Sequence, residues 1–238
     1  MAFVPSYSSR LYVGPLAWSL YAKGFSAQDE TAMLDVTALV DTSKSFIPGQ
    51  QNATATLDSM LDGSGAAGSQ FITVNTWKST PQVVTLLPQG GARGAVAEML
   101  VGNQSQATIS SNTNDVVMVS QSLQVDGGLS YGIVLDPETA ITADTNGTAT
   151  DNGASTSNGG VAHLHVTAFS GFTSNSVIVE HSSDNVTFTT LGTFTLATGV
   201  TSERLVISAG TTVNRYLRVR DDVTGTGSTT RTVAFARR

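Results

Sequence analysis

Two histidines two residues apart, His163 and His165, are the first candidates for chemistry, because a period of two places both rings on one face of a strand. Such a pair could ligate a metal, but a protein metal site needs at least a third ligand, and none stands in its neighbourhood in the sequence. The only other histidine is His181, and the chain has no cysteine. A solvated or interface strand face fits the pair better, and neither a metal nor a cofactor is expected. No Gly-x-Ser-x-Gly turn is present to expose a nucleophile. The adjacent carboxylates Asp29-Glu30 and Asp221-Asp222 lie in polar, turn-like surroundings where solvation accounts for them. Glycine-rich stretches at 63–68 and 90–94 lack the Gly-Lys-Ser/Thr that cradles a phosphate. Arg215, Arg218 and Arg220 form the densest basic run; Tyr216, Arg218 and Arg220 share the strand face opposite Val213, Leu217 and Val219. His163, His165, Tyr216 and Arg218 are therefore the candidate surface-ligand residues, suited to an acidic neighbour or a glycan. Without a nucleophile, metal cluster or cofactor motif, the sequence points to a binding or structural protein and not to an enzyme.

The elements that would carry these residues are strands. The chain is rich in Thr, Ser, Val and Gly, and only 13% of its 238 residues are charged. That profile favours β-structure with many tight turns. Residues 144–160, DTNGTATDNGASTSNGG, contain no aromatic, no large aliphatic and no Lys or Arg. A stretch so poor in apolar surface reads as a flexible linker. It separates residues 1–150, with twelve acidic and five basic side chains, from 151–238, with six and seven. The expected organisation is a domain over 1–143, including an N-terminal arm at 1–26, then the linker at 144–160 and a small antiparallel sandwich at 161–238. The arm carries Phe3, Tyr7, Tyr12, Trp18 and Phe25, too many aromatics for a solvated tail, and is expected to be buried against a neighbouring subunit. Pro15 interrupts its mildly apolar stretch at 11–21, so no signal peptide or membrane span is expected.

Alternation is clearest at 50–58. Ala53, Ala55 and Leu57 share one face, and Gln50, Asn52, Thr54, Thr56 and Asp58 share the other. Pro48-Gly49 marks a turn, and 70–78 reads as a short helix ending before Pro81. Strands are expected at 82–87 and 95–101, and Asp126-Gly127-Gly128 has the composition of a tight hairpin turn between 115–125 and 129–135. Further short strands at 161–168, 177–180, 186–191, 205–208, 213–220 and 232–236 have the spacing of a small sandwich. The net charge of −6 argues against a protein that grips nucleic acid through its phosphates.

The first block, with LDVTALVDTSKSFIPGQQNATATLDSMLDG, QFITVNTW and QSLQVDGGLSYGIVL, resembles the tail tube (major tail) proteins of long-tailed, siphovirus-like bacteriophages. Asp35, Thr37, Gly49, Leu61 and Gly63 stand where that family carries an Asp-x-Thr…Gly…Leu-x-Gly pattern. The second block is similar to the immunoglobulin-like or discoidin-like sandwiches often fused to such proteins, through VIVEHSSDNVTF at 177–188 and Arg215-Tyr216-Leu217-Arg218. The resemblance implies an all-β chain with one or two short helices, in which a ring-forming barrel or sandwich carries a sandwich appendage. It implies a structural protein of the virion tail, assembled in the host bacterial cytoplasm, whose copies form stacked hexameric rings. Its implied partners are the tape measure protein, the tail terminator and distal tail proteins, and double-stranded DNA that passes without specific binding; no membrane is involved. Gln50, Asn52, Thr54, Thr56 and Asp58 would then face the lumen or an adjacent ring, and an acidic, Lys-poor block suits the transit of a polyanion. The alternative is a glycan- or receptor-binding virion surface protein acting through the second block.

Overall fold

The computed structural model describes residues 8–62, 75–113 and 115–238. The chain is all-β: long antiparallel strands joined by short turns, with 3-10 turns at Trp18–Leu20 and Trp77–Ser79. Of the helix expected at 70–78, residues 75–79 are helical, and 70–74 lie outside the described residues. No helix among the described residues is long and apolar enough to cross a membrane.

Among the described residues thirteen strands follow in order: β1 (Arg10–Val13), β2 (Leu16–Ala17), β3 (Ala22–Asp35), β4 (Phe46–Met60), β5 (Gln82–Leu87), β6 (Val96–Ser110), β7 (Met118–Ile141), β8 (Thr145–Asn146), β9 (Thr150–Asp151), β10 (Gly160–Ser182), β11 (Thr189–Thr193), β12 (Thr201–Ile207) and β13 (Tyr216–Arg237). Among the described strands the hydrogen-bonded path ends at β11 and at β2 and does not close into a barrel. The chain divides into two compact units: Met1–Leu20 with Gln82–Met99 and Ser130–Arg238, and Tyr21–Pro81 with Leu100–Leu129. The division expected at 144–160 is thus corrected, because each unit is assembled from separate stretches of chain.

In the first unit, β10 and β13 pair from Gly160↔Arg237 to Ser182↔Tyr216, with bulges around Ala168, Phe172 and Ser174. The first half of β10 also pairs with β12 and the second half with β11. Gly171 and Gly227 allow the close backbone approach at the bulges: a Cβ on Gly227 would lie 2.2 Å from the Ser170 carbonyl oxygen. Ala162, Leu164 and Val166 from the first half join Val177 and Val179 from the second, with Leu217, Val219, Val233 and Phe235 from β13, in one apolar core. This is the packing of a sandwich. A second apolar layer lies on the other face of the first half of β10, where Val161, Ala234 and Ala236 meet Tyr12, Leu87, Ala97, Met99 and Val134. β10 is therefore buried on both faces there.

Residues 144–160 are no tether. β8 and β9 pair with β13 at Asn146↔Arg220 and Asp151↔Tyr216, and Thr156 bridges Val213. A segment without large apolar side chains is ordered here through its backbone, which satisfies peptide groups along β13.

In the second unit, β3 pairs with β4 from Ala22↔Ser59 to Asp35↔Phe46, and β4 pairs with β7 from Thr54↔Gln124 to Met60↔Met118. β6 lies on the far side of β7. Ala53, Ala55 and Leu57 are buried, as their alternation requires.

Candidate assembly surface

β4 divides the second unit into an inner and an outer face. Gln50, Asn52 and Thr54 are exposed, and Thr56 and Asp58 are half-buried, alternating with buried Ala53, Ala55 and Leu57. Residues directly opposite in an antiparallel pair lie on the same face. The register therefore adds Glu30, Gln28 and Ser26 from β3, opposite Asn52, Thr54 and Thr56, and Gln124, Ser122 and Ser120 from β7, opposite Thr54, Thr56 and Asp58. The Gln124 side-chain amide donates to the Asn52 side-chain oxygen at 2.7 Å and to the Ala53 carbonyl at 3.0 Å, fixing the two side chains across the strands. The result is a polar surface three strands wide. The charged residues that the register places in its rows, Glu30 and Asp58, are negative, Asp126 continues the β7 row, and the exposed Lys23 stands at its end in the β3 bulge between Ala22 and Gly24. The sequence showed the β4 row; the rows from β3 and β7 depend on register, which local alternation does not reveal.

One border of this surface is the outer edge of β3. Among the described strands β3 pairs with β4 alone, so the other edge of this fourteen-residue strand has no described strand beside it. Long free edges are the feature by which sheets add strands from another chain. Beyond the edge, the hairpin tip is apolar and exposed: Met33, Leu34, Val36, Phe46 and Ile47 are about half exposed, Val40 is 88% exposed and Leu39 is fully so. The tip is held by its own hydrogen bonds. Thr37 N donates to Asp35 Oδ1 at 2.9 Å, Ala38 N to Asp41 Oδ2 at 2.7 Å, and Ser45 N to Thr37 Oγ1 at 2.9 Å. The bonds from Thr37 hold the Asp35 carboxyl below its usual range. A contiguous apolar surface presented by an ordered loop is the signature of an interaction site.

The N-terminal aromatics are placed differently from the expectation of an arm against a neighbour. Tyr12 and Trp18 are buried in their own chain, Tyr12 in the apolar layer on β10, because β1 and β2 form a hairpin that pairs with β5. Phe25 is half-buried in β3, and Phe3 and Tyr7 lie outside the described residues.

His163 and His165 are likewise not on a surface. Both are buried, because the β1–β5 layer covers the strand face expected to meet solvent. Their hydrogen bonds run in one direction. The His165 Nδ1 lies 2.7 Å from the Gly14 carbonyl, which can only accept, so Nδ1 carries the proton and Nε2 is an acceptor. Thr85 Oγ1, 2.8 Å away, donates to that Nε2, which leaves the threonine oxygen to accept from His163 Nδ1 at 3.0 Å. Both rings are thereby fixed as neutral tautomers. Tyr12 stacks on His165 at 5.4 Å between centroids and donates to Glu138 at 3.1 Å. Burial drives the His165 pKa down to about 4 and that of His163 well below the ordinary value, His165 and Arg204 adding to the latter.

Tyr216 and Arg218 do share a face of β13 and are partly exposed, but Arg218 is committed. It donates to Glu180 at 2.7 Å and lies over the Phe188 ring at 4.0 Å. Glu180 also accepts from Arg220, which donates to Asp222. A further ionic cluster, invisible in the sequence, is buried apart from the half-buried Arg93: Arg231 binds Asp136 and Asp221, Asp136 also binds Arg93, and Asn175 donates to Asp221 at 2.9 Å. No group of three or more His, Asp or Glu among the described residues could hold a metal ion.

No family model and no curated protein matches this sequence. Solved structures similar in fold include the following two. One comes from the virion of a native gene transfer agent particle, at 9% identity and a TM-score of 0.42, over 54% of this chain and 98% of that one. The other is the Dit (gp 19.1) protein of phage SPP1, described as a paradigm of the hub adsorption apparatus in phages infecting Gram-positive bacteria. It aligns at 11% identity and a TM-score of 0.41, over 96% of this chain and 99% of that one. Likenesses of this degree carry no argument about activity.

Proposed function

We propose that the chain is a structural protein of a bacteriophage tail whose copies associate through the second unit into stacked rings, making a tube for the tape measure protein and then for DNA. The observation that carries this reading is the polar surface of β3, β4 and β7, whose paired rows hold carboxylates and no Lys or Arg beyond Lys23 at one end, and which is bordered by a fourteen-residue edge that no other described strand pairs. A wall that lets a polyanion slide must offer no clustered Lys or Arg, since each phosphate neutralised adds adhesion. A subunit that builds a ring needs an unpaired edge on which the next copy can continue the sheet. Both requirements meet in one unit.

In this reading Gln50, Asn52, Thr54, Thr56 and Asp58 line the passage, and six copies close the ring, as the sequence resemblance implies. The tail terminator and distal tail proteins cap the stack, and assembly takes place in the host bacterial cytoplasm. The chain has no catalytic role and needs no cofactor. The glycan-binding alternative is weakened because His163 and His165, two of its four residues, are buried.

Negative-stain microscopy of the purified chain tests the proposal. Hollow tubes of uniform width are expected, and a monodisperse monomer at every concentration would overturn it.

A further inference from the structure

Asn-Gly occurs three times, six residues apart, at 146–147, 152–153 and 158–159. Asn before Gly is the setting in which deamidation is least hindered, because glycine has no Cβ to block the following backbone nitrogen. That nitrogen loses its proton to solvent base and attacks the asparagine Cγ; the N–Cγ bond forms, ammonia leaves, and water opens the resulting succinimide to aspartate or isoaspartate. The attack requires the glycine N–H to be free.

All three are engaged. Gly147 N donates to the Val219 carbonyl at 2.7 Å and Gly159 N to the Thr211 carbonyl at 3.1 Å, both backbone bonds to neighbouring segments. Gly153 N is held instead by a side chain, Asp151 Oδ1, at 2.8 Å. Asp151 is gripped by Arg215 through Nε at 2.7 Å and Nη2 at 2.6 Å. The Asn152 amide donates to the carbonyls of Thr150 at 3.2 Å and Arg215 at 3.1 Å, which fixes its Cγ. Gly153 itself is exposed, its φ is +80°, and a Cβ there would meet nothing within 4 Å. Neighbouring backbone therefore protects two sites, and one surface ion pair protects the third.

We propose that Asn152–Gly153 is a latent deamidation site kept closed by the Asp151–Arg215 pair. The Arg215 guanidinium holds the Asp151 pKa at about 2, so at neutral pH the carboxylate retains its hydrogen bond from Gly153 and is too weak a base to remove the proton. Conversion to isoaspartate would insert one backbone atom beside Asp151, whose partner in β13 is Tyr216, and would add a negative charge next to Asp151. β9 would lose its register.

The test is peptide mapping by mass spectrometry, with isoaspartate detection, on the full-length chain incubated at mildly alkaline pH. In the folded protein Asn152 is expected to convert at least about tenfold more slowly than in the same chain unfolded in urea, equivalent to ~1.4 kcal/mol of local opening. Asp151→Ala should bring Asn152 towards its unfolded-state rate and leave Asn146 and Asn158 unchanged; circular dichroism checks that the variant is folded. Equal rates at Asn152 in folded and unfolded wild type would overturn the proposal. So would an Asp151→Ala variant that leaves Asn152 slow, or that speeds all three sites alike.

Discussion

Strands β4 and β10 carry the same period-two pattern and meet opposite surroundings. In β4 the small apolar row of Ala53, Ala55 and Leu57 is buried and the polar row stays outside, so local alternation describes the environment. In β10 the row of Ala162, Leu164 and Val166 is buried in the sandwich, but the opposite row, Val161, His163 and His165, is buried as well, under the β1–β5 layer. A polar side chain in the first case remains available to a partner. In the second it must find its hydrogen bonds inside the chain or destabilise the fold. In the first unit the histidine pair and the Arg231 cluster are bonded internally, with His163 Nε2 left without a hydrogen-bond partner among the described residues, whereas the second unit presents an edge and an apolar tip that no described strand covers.

The sharpest way to break this contrast is Arg231→Ala, which leaves Asp136 and Asp221 facing an empty site in the first unit. Removing one partner of a buried ion pair costs about 3–5 kcal/mol, and chemical denaturation should show a loss of that order. A loss below about 0.5 kcal/mol, the range of ordinary surface changes, would contradict the internal role assigned to the cluster.

Next in size is the response to acid. His163 and His165 have pKa values lowered by burial, so below the unfolded value of about 6.5 the unfolded chain binds protons that the folded chain does not. Stability is therefore fully present above about 6.5 and falls as pH drops towards 4, by roughly 3 kcal/mol for His165 alone, at 1.36 kcal/mol per unit. Urea titrations across that window should show the decline, and His165→Gln should lessen it, leaving the part due to His163. A smaller effect follows from Thr85→Val, which removes the hydroxyl joining the two rings and should cost about 1–3 kcal/mol through unmet buried nitrogens.

These losses mark what could not be read from the sequence. The short strands expected at 161–168 and 177–180 are parts of one strand, β10, those at 213–220 and 232–236 fall largely in β13, and 126–128 lies within β7 and not in a hairpin turn. The alternation at 50–58 and the all-β class were legible, because both rest on contacts close in sequence or on composition. The burial of His163 and His165 was not. It depends on Thr85 and Gly14, far away in the chain, and a histidine pair has the same local pattern whether or not a second layer covers it. Residues 144–160 misled for a related reason: their composition cannot drive burial, but the exposed edge of β13 supplied backbone partners that no side-chain pattern announces. The division into units was hidden because β6 and β7 each contribute to both.

The smallest expected change in stability, and a large one in association, comes from the hairpin tip. Leu39→Ser with Val40→Ser replaces side chains that contact little in the free chain, so unfolding should shift by no more than about 0.5 kcal/mol. Sedimentation should show assembly weakened. Unaltered assembly would remove the tip from the interface and leave the β3 edge to account for it alone.

The central claim concerns which surface meets the passage, and an electron cryomicroscopy reconstruction of the assembled chain tests it most directly. It should show Asn52, Thr54 and Thr56 lining a hollow lumen, with the free edge of β3 hydrogen-bonded to a strand of the next subunit. A lumen lined by the sandwich of β10 and β13, or a β3 edge left unpaired in the assembly, would contradict the account.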